Sequence, residues 1–254
     1  GHGRVVDDMF LDGLEDAYAK GRLMGTFAED AAAHFQFTRE AQDDYALASL
    51  DRSLKAISSG AFAGEVVPVT TRTATISIDE QPGKAKRDKI RMLKPAFRDG
   101  GTVTAANSSS ISDGAAAVTL MRMSEAEKRG LTPLAVVKGH AGHAAEPAWF
   151  TTAPVGAMTK LLDRIGWSTG DVDLWEINEA FAVVALIAMR EMGLGHQQVN
   201  IHGGACALGH PIGASGARIV VTLLAALKTH GLKRGVATLC IGGGEATAMA
   251  FELV

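Results

Sequence analysis

The stretch Asn200-Ile-His-Gly-Gly-Ala-Cys-Ala-Leu-Gly-His-Pro-Ile-Gly-Ala-Ser-Gly-Ala-Arg218 constrains the fold more than any other part of the chain. Glycine maximises backbone freedom and Pro211 removes a backbone donor, so the first half of this stretch is expected to be a shaped loop rather than a regular element. Beyond Gly216, the apolar residues Ile219, Val220, Leu223, Leu224 and Leu227 recur at helical spacing as far as His230-Gly231, a pair suited to a helix end. The loop therefore runs into a helix N-terminus. Free backbone N–H groups and the positive end of a helix dipole gather there, and His210 lies just upstream as a titratable group facing any partly anionic ligand.

From Pro133 onward the pattern is regular. Strands over 134–138, 172–177, 235–241 and 247–253 alternate with helices over 157–165, 179–192 and 216–230, which predicts an α/β fold with a mixed sheet covered by helices. In such sheets ligands collect beyond the carboxyl ends of strands; Asn178 directly follows one strand and Cys240 nearly ends another. Upstream, Thr38 is expected to cap a helix carrying Leu47, Leu50, Leu54 and Ile57 on one face and stopped by Ser58-Ser59-Gly60. Short β-rich runs follow over 65–71 and 73–78. The basic stretch holding Lys84, Lys86, Arg87, Lys89, Arg91 and Lys94 reads first as a solvated face. Asn107 to Gly114 is turn-rich, Ala115 to Leu120 is apolar enough for a buried strand or helix, and Ser124 to Gly130 reads as a surface helix with a serine cap and a glycine stop.

Composition sets outer bounds. The 254 residues are 47% hydrophobic with 29 glycines, enough for one large or two ordinary α/β domains with a substantial core. A net charge of −3 argues against a nucleic-acid or membrane-surface protein, both of which need a basic excess on one face. Two cysteines make no disulfide framework, which favours a reducing compartment; a cytoplasmic location is expected, with mitochondrial or peroxisomal ones left open by a start at Gly1.

Taken alone, His210 reads as a structural or solvated loop histidine and Cys240 as a small buried hydrophobe. His202, Cys206 and His210 have metal-ligand chemistry, but the intervening glycines and Pro211 deny them a common helical face and no fourth ligand is evident. The glycines from 209 to 216 lack the preceding strand that a dinucleotide fingerprint requires.

Together, His202 to Arg218, Asn178-Glu-Ala-Phe181 and Cys240-Ile-Gly-Gly-Gly-Glu245 resemble the three active-site motifs of the thiolases, which make or break 3-ketoacyl-CoA. Asn107 to Ala116 and Met24 to Glu29 also resemble family segments. The resemblance implies a layered αβαβα fold with mixed sheets. Residues 1–111 would form a CoA-binding loop domain, 112–131 the tail of the N-terminal half, and 132–254 the C-terminal half; most of the first half-domain, with its nucleophilic cysteine, is expected to lie outside this chain, which therefore should not fold or act alone. His210 is expected to activate that cysteine and polarise a thioester oxygen, helped by a water that Asn178 holds. Cys240 is expected to be the acid/base at carbon, with a lowered thiol pKa suiting the task, and the Gly242 N–H to serve an oxyanion hole. The family places an apolar residue at Cys206, so Cys206 is not expected to substitute as nucleophile; Glu179 either orients its neighbours or forms a structural salt bridge.

Ser109 and Ile111 would hold the pantetheine chain; Met24, Phe150, Ala180 and Phe181 would line a short acyl pocket. The resemblance is strongest to acetyl-CoA acetyltransferases, with a longer-chain degradative thiolase and a non-catalytic acyl-CoA-binding module as alternatives. CoA thioesters are the expected substrates, with no metal or other cofactor, and a homodimer or homotetramer is the expected assembly.

Overall fold

The computed structural model describes residues 1–254. In chain order, α1 (Met24–His34) and α2 (Arg39–Ser59) precede a small hairpin of β1 (Val69–Thr70) and β2 (Thr75–Ile76), then the short helices α3 (Glu80–Lys84) and α4 (Met123–Lys128). There follow β3 (Ala135–Ala144), α5 (Ala153–Ile165), β4 (Leu174–Ile177), α6 (Ala182–Met192), α7 (Ala205–Leu208), α8 (Ser215–His230), β5 (Arg234–Ile241) and β6 (Glu245–Leu253). No helix is long and apolar enough to cross a membrane.

The sheet has the order β3-β6-β5-β4, with β4 and β5 parallel and the other pairs antiparallel, so it is mixed as the alternating pattern requires. Side chains alternate between its faces. On β4, Leu174 packs with Ile219, Leu223 and Leu227 of α8, whereas Trp175 packs with Met158, Leu161 and the alanines of α6. Val236 and Ala237 of β5 divide in the same way, which places α8 on one face and α5 and α6 on the other. Gly235 permits the close approach of α8, since a Cβ there would lie 2.7 Å from Leu223.

α2 starts as its sequence demands: the Thr38 hydroxyl accepts from the Ala41 N–H at 3.1 Å, and Gly60 closes the helix at φ +75°. Its buried face holds only part of the leucine stripe: Leu47 and Leu50 pack with Ile90 and with Ala207 of α7. Leu54 is exposed, while Gln42, Tyr45, Ala46, Ser49, Ser53 and Ala56 also turn inward, where Tyr45 and Ser49 meet Glu179 and Gln42 meets Thr102.

Other expectations are corrected. The β-rich runs shrink to a two-rung hairpin, and one helical turn, α7, interrupts the glycine loop. α4 starts at Met123, one residue before the expected serine cap, and has no side-chain cap; Gly130 at φ +64° follows its end. Ala115 to Leu120 forms neither strand nor helix. It joins neither sheet, so no ladder forms, and Val118 is 42% and Leu120 68% exposed.

Candidate active site

Parallel pairing of β4 and β5 brings two of the three motifs to one rim. Ile177 pairs with Thr238, and the Asn178 N–H extends the ladder to the Thr238 carbonyl at 3.0 Å, so Asn178 and Cys240 emerge beside one another at the strands' carboxyl ends. The third motif is held against this rim through a buried carboxylate. Glu179 forms no ion pair; it accepts from Tyr45 Oη (3.0 Å), Ser49 Oγ (2.7 Å), Asn200 Nδ2 (2.8 Å) and the Cys206 N–H (3.1 Å). Of the two readings of Glu179, orientation of neighbours is therefore the one observed. Gly204 is required here, because a Cβ would lie 2.4 Å from the Glu179 carboxyl carbon.

The far end of the loop is fixed just as tightly. The His210 N–H donates to Ser110 O at 3.1 Å, and Gly209, at φ +94°, passes where a Cβ would lie 2.1 Å from Ser112 Oγ. Ser215, the first residue of α8, donates its hydroxyl hydrogen to Pro211 O at 3.0 Å. At 2.5 Å from His210 Nδ1 that hydroxyl must then accept, which puts the imidazole hydrogen on Nδ1 and leaves the Nε2 lone pair facing Asn178 Nδ2 at 3.3 Å. The Asn178 Oδ1 is buried without a partner in the protein, an acceptor that a water or substrate donor can satisfy. Burial, reinforced by the Arg218 guanidinium, lowers His210 to about 4, so at neutral pH the imidazole is uncharged and available as a base.

Cys240 has the opposite surroundings. It belongs to an apolar cluster with Phe27, Phe150, Phe181 and Val184, against which Met24 and Ala180 pack. Phe150 and Phe181 stand with ring centroids 6.5 Å apart, and Phe27 meets Phe150 edge-on at 6.2 Å. The expected lowering of the Cys240 thiol is overturned. Burial pushes it up to about 12, and a backbone hydrogen bond offsets only part of that rise, since no cation faces the sulfur. Gly242 opens the turn from β5 to β6; its position lies beside Met24, to whose Sδ a Cβ there would come within 3.5 Å.

The predicted residues thus converge in two groups joined by Asn178-Glu-Ala-Phe181: His210 with Asn178, and Cys240 with Met24, Phe150, Ala180 and Phe181. Ser109 is tied to the second group, its N–H and hydroxyl both donating to Ala180 O at 3.0 Å. Ile111 is 58% exposed and touches neither group's core. His202, Cys206 and His210 do not converge: His202 faces Phe62 and His230, Cys206 donates to the Glu179 carbonyl, and no group of three potential ligands exists anywhere in the chain. In the basic stretch, Arg87 and Arg91 pair with Asp51 and Asp44, and Lys84 with Glu80, as a solvated charged face does. Sequence reasoning missed Ser215 and the donors Tyr45, Ser49 and Asn200. The i, i+4 spacing of Tyr45 and Ser49 on α2 was the available signal.

The Thiolase, N-terminal domain model matches residues 1–124, and the Thiolase, C-terminal domain model matches residues 131–253. The chain belongs to the thiolase family. It is 48% identical to acetyl-CoA acetyltransferase 2 of Arabidopsis thaliana over 100% of its own length, and 46% identical to the acetyl-CoA acetyltransferase of Chromobacterium violaceum over 99%. It spans 64% and 66% of those two proteins. It superposes over its full length on 65% of a Bacillus anthracis acetyl-CoA acetyltransferase (TM-score 0.94, 40% identity) and on 66% of an Ascaris suum thiolase crystallised with coenzyme A (TM-score 0.90, 39% identity). A mostly absent first half-domain is not what these matches show, since both domains of the family are represented between Gly1 and Val254.

Proposed function

We propose that this thiolase chain belongs to an acetyl-CoA acetyltransferase, joining two acetyl-CoA into acetoacetyl-CoA and free CoA, reversibly. The observation that carries the reading is the pairing at one rim of a neutral histidine whose Nε2 lone pair faces Asn178 with a buried thiol walled by aromatics. Claisen chemistry needs these two kinds of proton-transfer group, one for a sulfur nucleophile and one for a carbon acid. Cys240, as a thiol, supplies the α-carbon proton in the cleavage direction and as a thiolate removes it in the condensation direction. Its high affinity for that proton suits a weak carbon acid. The Gly242 N–H and the Asn178 amide polarise the thioester oxygens on which negative charge develops.

The acyl-carrying thiolate comes, on this reading, from outside residues 1–254. Cys206 and Cys240 are the chain's two cysteines, and burial raises both thiols, Cys206 additionally through the adjacent Glu179. An open groove of about 390 Å³ lies between Ser112 to Ala116 and Pro211 to Ala214, next in the chain to His210. Residues 1–111 would then act as the CoA-binding loop domain, 112–131 as the tail of the N-terminal half and 132–254 as the C-terminal half, with Ser109 and Ile111 along the pantetheine and a homodimer or homotetramer as the assembly. The substrate is a CoA thioester and the reaction needs no metal or redox group. The acetyl preference rests on Phe150 and Phe181, which pack in one cluster with Cys240 and would wall a short acyl site there.

Incubating the purified enzyme with acetyl-CoA should yield acetoacetyl-CoA, and peptide mass mapping of the trapped intermediate should place the acetyl group on neither Cys206 nor Cys240. Acetyl on either residue would remove the need for an outside nucleophile. Acyl-CoA binding without any product would favour a non-catalytic acyl-CoA-binding module.

A further inference from the structure

His210 is gripped from two directions. Ser215 of α8 holds its Nδ1 and Asn178, at the end of β4, faces its Nε2, so the tautomer persists only while those two elements keep one fixed offset. Apolar packing secures that offset farther along, where Leu174 meets Ile219, Leu223 and Leu227, but such contacts are non-directional. Nearer the histidine the contact becomes polar. Leu174, Glu176 and Asn178 alternate onto the α8 side of β4, and Glu176 Oε2 lies 3.5 Å from Nη1 of Arg218, which stands one turn along α8 from Ser215. The Glu176 side chain is 3% exposed and that of Arg218 21%.

We propose that Arg218 and Glu176 are positioning residues for His210, joining the first turn of α8 to the end of β4 and thereby fixing Ser215 relative to Asn178. Neither bonds to His210, so each acts through the residue its own element carries to the ring. A buried pair of this kind is a weak source of stability, and exchanging both partners for apolar side chains is often neutral or stabilising, so the contribution expected here is to geometry. Burial pushes Glu176 up to about 8 against the pull of Arg218, and in either protonation state a carboxyl oxygen faces the guanidinium. The next turn of α8 extends the seam. Thr222 donates its hydroxyl hydrogen to Glu65 Oε1 at 3.3 Å, and Arg218 opposes the rise that burial imposes on both Glu65 and Asp79. Arg218 thus draws on carboxyls from β4 and from the chain leading into α3, while its charge repels a proton on His210.

The inference rests on the role given to His210 above, so its test reads the ring as well as the rate. In the double variant Arg218→Met with Glu176→Leu, which leaves neither partner unpaired, the denaturant midpoint should stay near the unaltered value. Its kcat for acetoacetyl-CoA formation should fall roughly 10–100-fold with KM little changed, as misplacement of a catalytic group does. Glu176→Gln, which keeps an oxygen before the guanidinium, should retain most of the rate. The direct readout is the nitrogen spectrum of enzyme labelled with ¹⁵N-histidine, His210 being assigned by the signal lost in His210→Asn. The unaltered enzyme should show one neutral tautomer with its hydrogen on Nδ1, and the double variant a mixture of two. A single Nδ1–H tautomer and an undiminished kcat in the double variant overturn the proposal, and so does a fall in rate matched by a fall in stability, the mark of a merely structural pair. Should the double variant not fold, Arg218→Gln carries the same readouts. An unaltered enzyme that forms no acetoacetyl-CoA would sink the proposed reaction, and the tautomer comparison would then decide the positioning role by itself.

Discussion

His210 and Cys240 lie at one rim, yet their surroundings are contrary. His210 is wired: a backbone bond to Ser110, a hydroxyl on Nδ1 and an amide opposite Nε2 set its position and tautomer. Cys240 is walled: aromatic and aliphatic side chains surround it, and burial dominates its proton affinity. Burial favours the neutral form of both groups, but neutrality makes the histidine a base and the cysteine an acid. One physical effect thus gives two complementary functions, and directional bonds are needed only where a lone pair must point.

That contrast breaks most visibly in kinetics. Loss of a positioned acid or base costs about 10²–10⁴ in rate, so His210→Ala should impair acylation itself, while Cys240→Ser should still acylate the nucleophile and fail at carbon–carbon bond formation. Trapped acyl-enzyme and exchange of acetyl methyl protons with deuterated solvent separate the two; normal methyl exchange in Cys240→Ser would reverse the assignment.

The wiring itself should be costly to cut. Glu179→Ala strands the Tyr45, Ser49 and Asn200 donors in a buried space, and about 3 kcal/mol of stability should be lost, read as a lower denaturant midpoint. A change under about 1 kcal/mol would mean that water replaces the carboxylate.

A pH test follows from the histidine. Its folded-state pKa of about 4 lies below the ordinary 6.5, so between those values the unfolded chain binds more protons and stability falls as pH falls. Between pH 7 and pH 5 the loss should be about 2 kcal/mol, and His210→Asn should remove that share of the slope in urea melts.

Smaller effects sharpen the comparison. Ser215→Ala removes the hydroxyl that fixes the tautomer and should lower kcat about tenfold with KM little changed, the mark of lost positioning. Phe150→Ala should shift preference toward longer acyl chains by roughly 0.8 kcal/mol per CH₂ accommodated. An unchanged chain-length profile would remove Phe150 from the pocket.

Much of the C-terminal half was legible because each signal there is local. The alternation of strand and helix from 134 to 253 and the helix end at Gly231 follow their patterns, although α5 starts at Ala153, α6 at Ala182 and β3 runs on to Ala144. Legibility failed where the decisive partner was distant. Leu54 looked like core by spacing, yet α2 buries Tyr45 and Ser49 because a carboxylate far along the chain needs their hydroxyls. Ala115 to Leu120 looked buried by hydrophobicity, yet a strand needs a neighbour that no local pattern reveals. The direction of the Cys240 shift was missed because residue type says nothing about which charges are absent.

The reach of those distant partners bears on how the molecule acquires its site. Tyr45 and Glu179 are 134 positions apart, and the Ser49 hydroxyl receives the Gly204 N–H across 155. Closing such intervals carries an entropic cost before any bond forms, so contacts of this kind arise late in folding, after α2 and the sheet exist. A chain that has formed its helices but not yet seated Glu179 lacks the bond that holds the Cys206 N–H, and the glycine-rich loop is free at that point. Competence to bind substrate is then expected to follow these long closures, and substrate added to refolding protein should report completion rather than collapse.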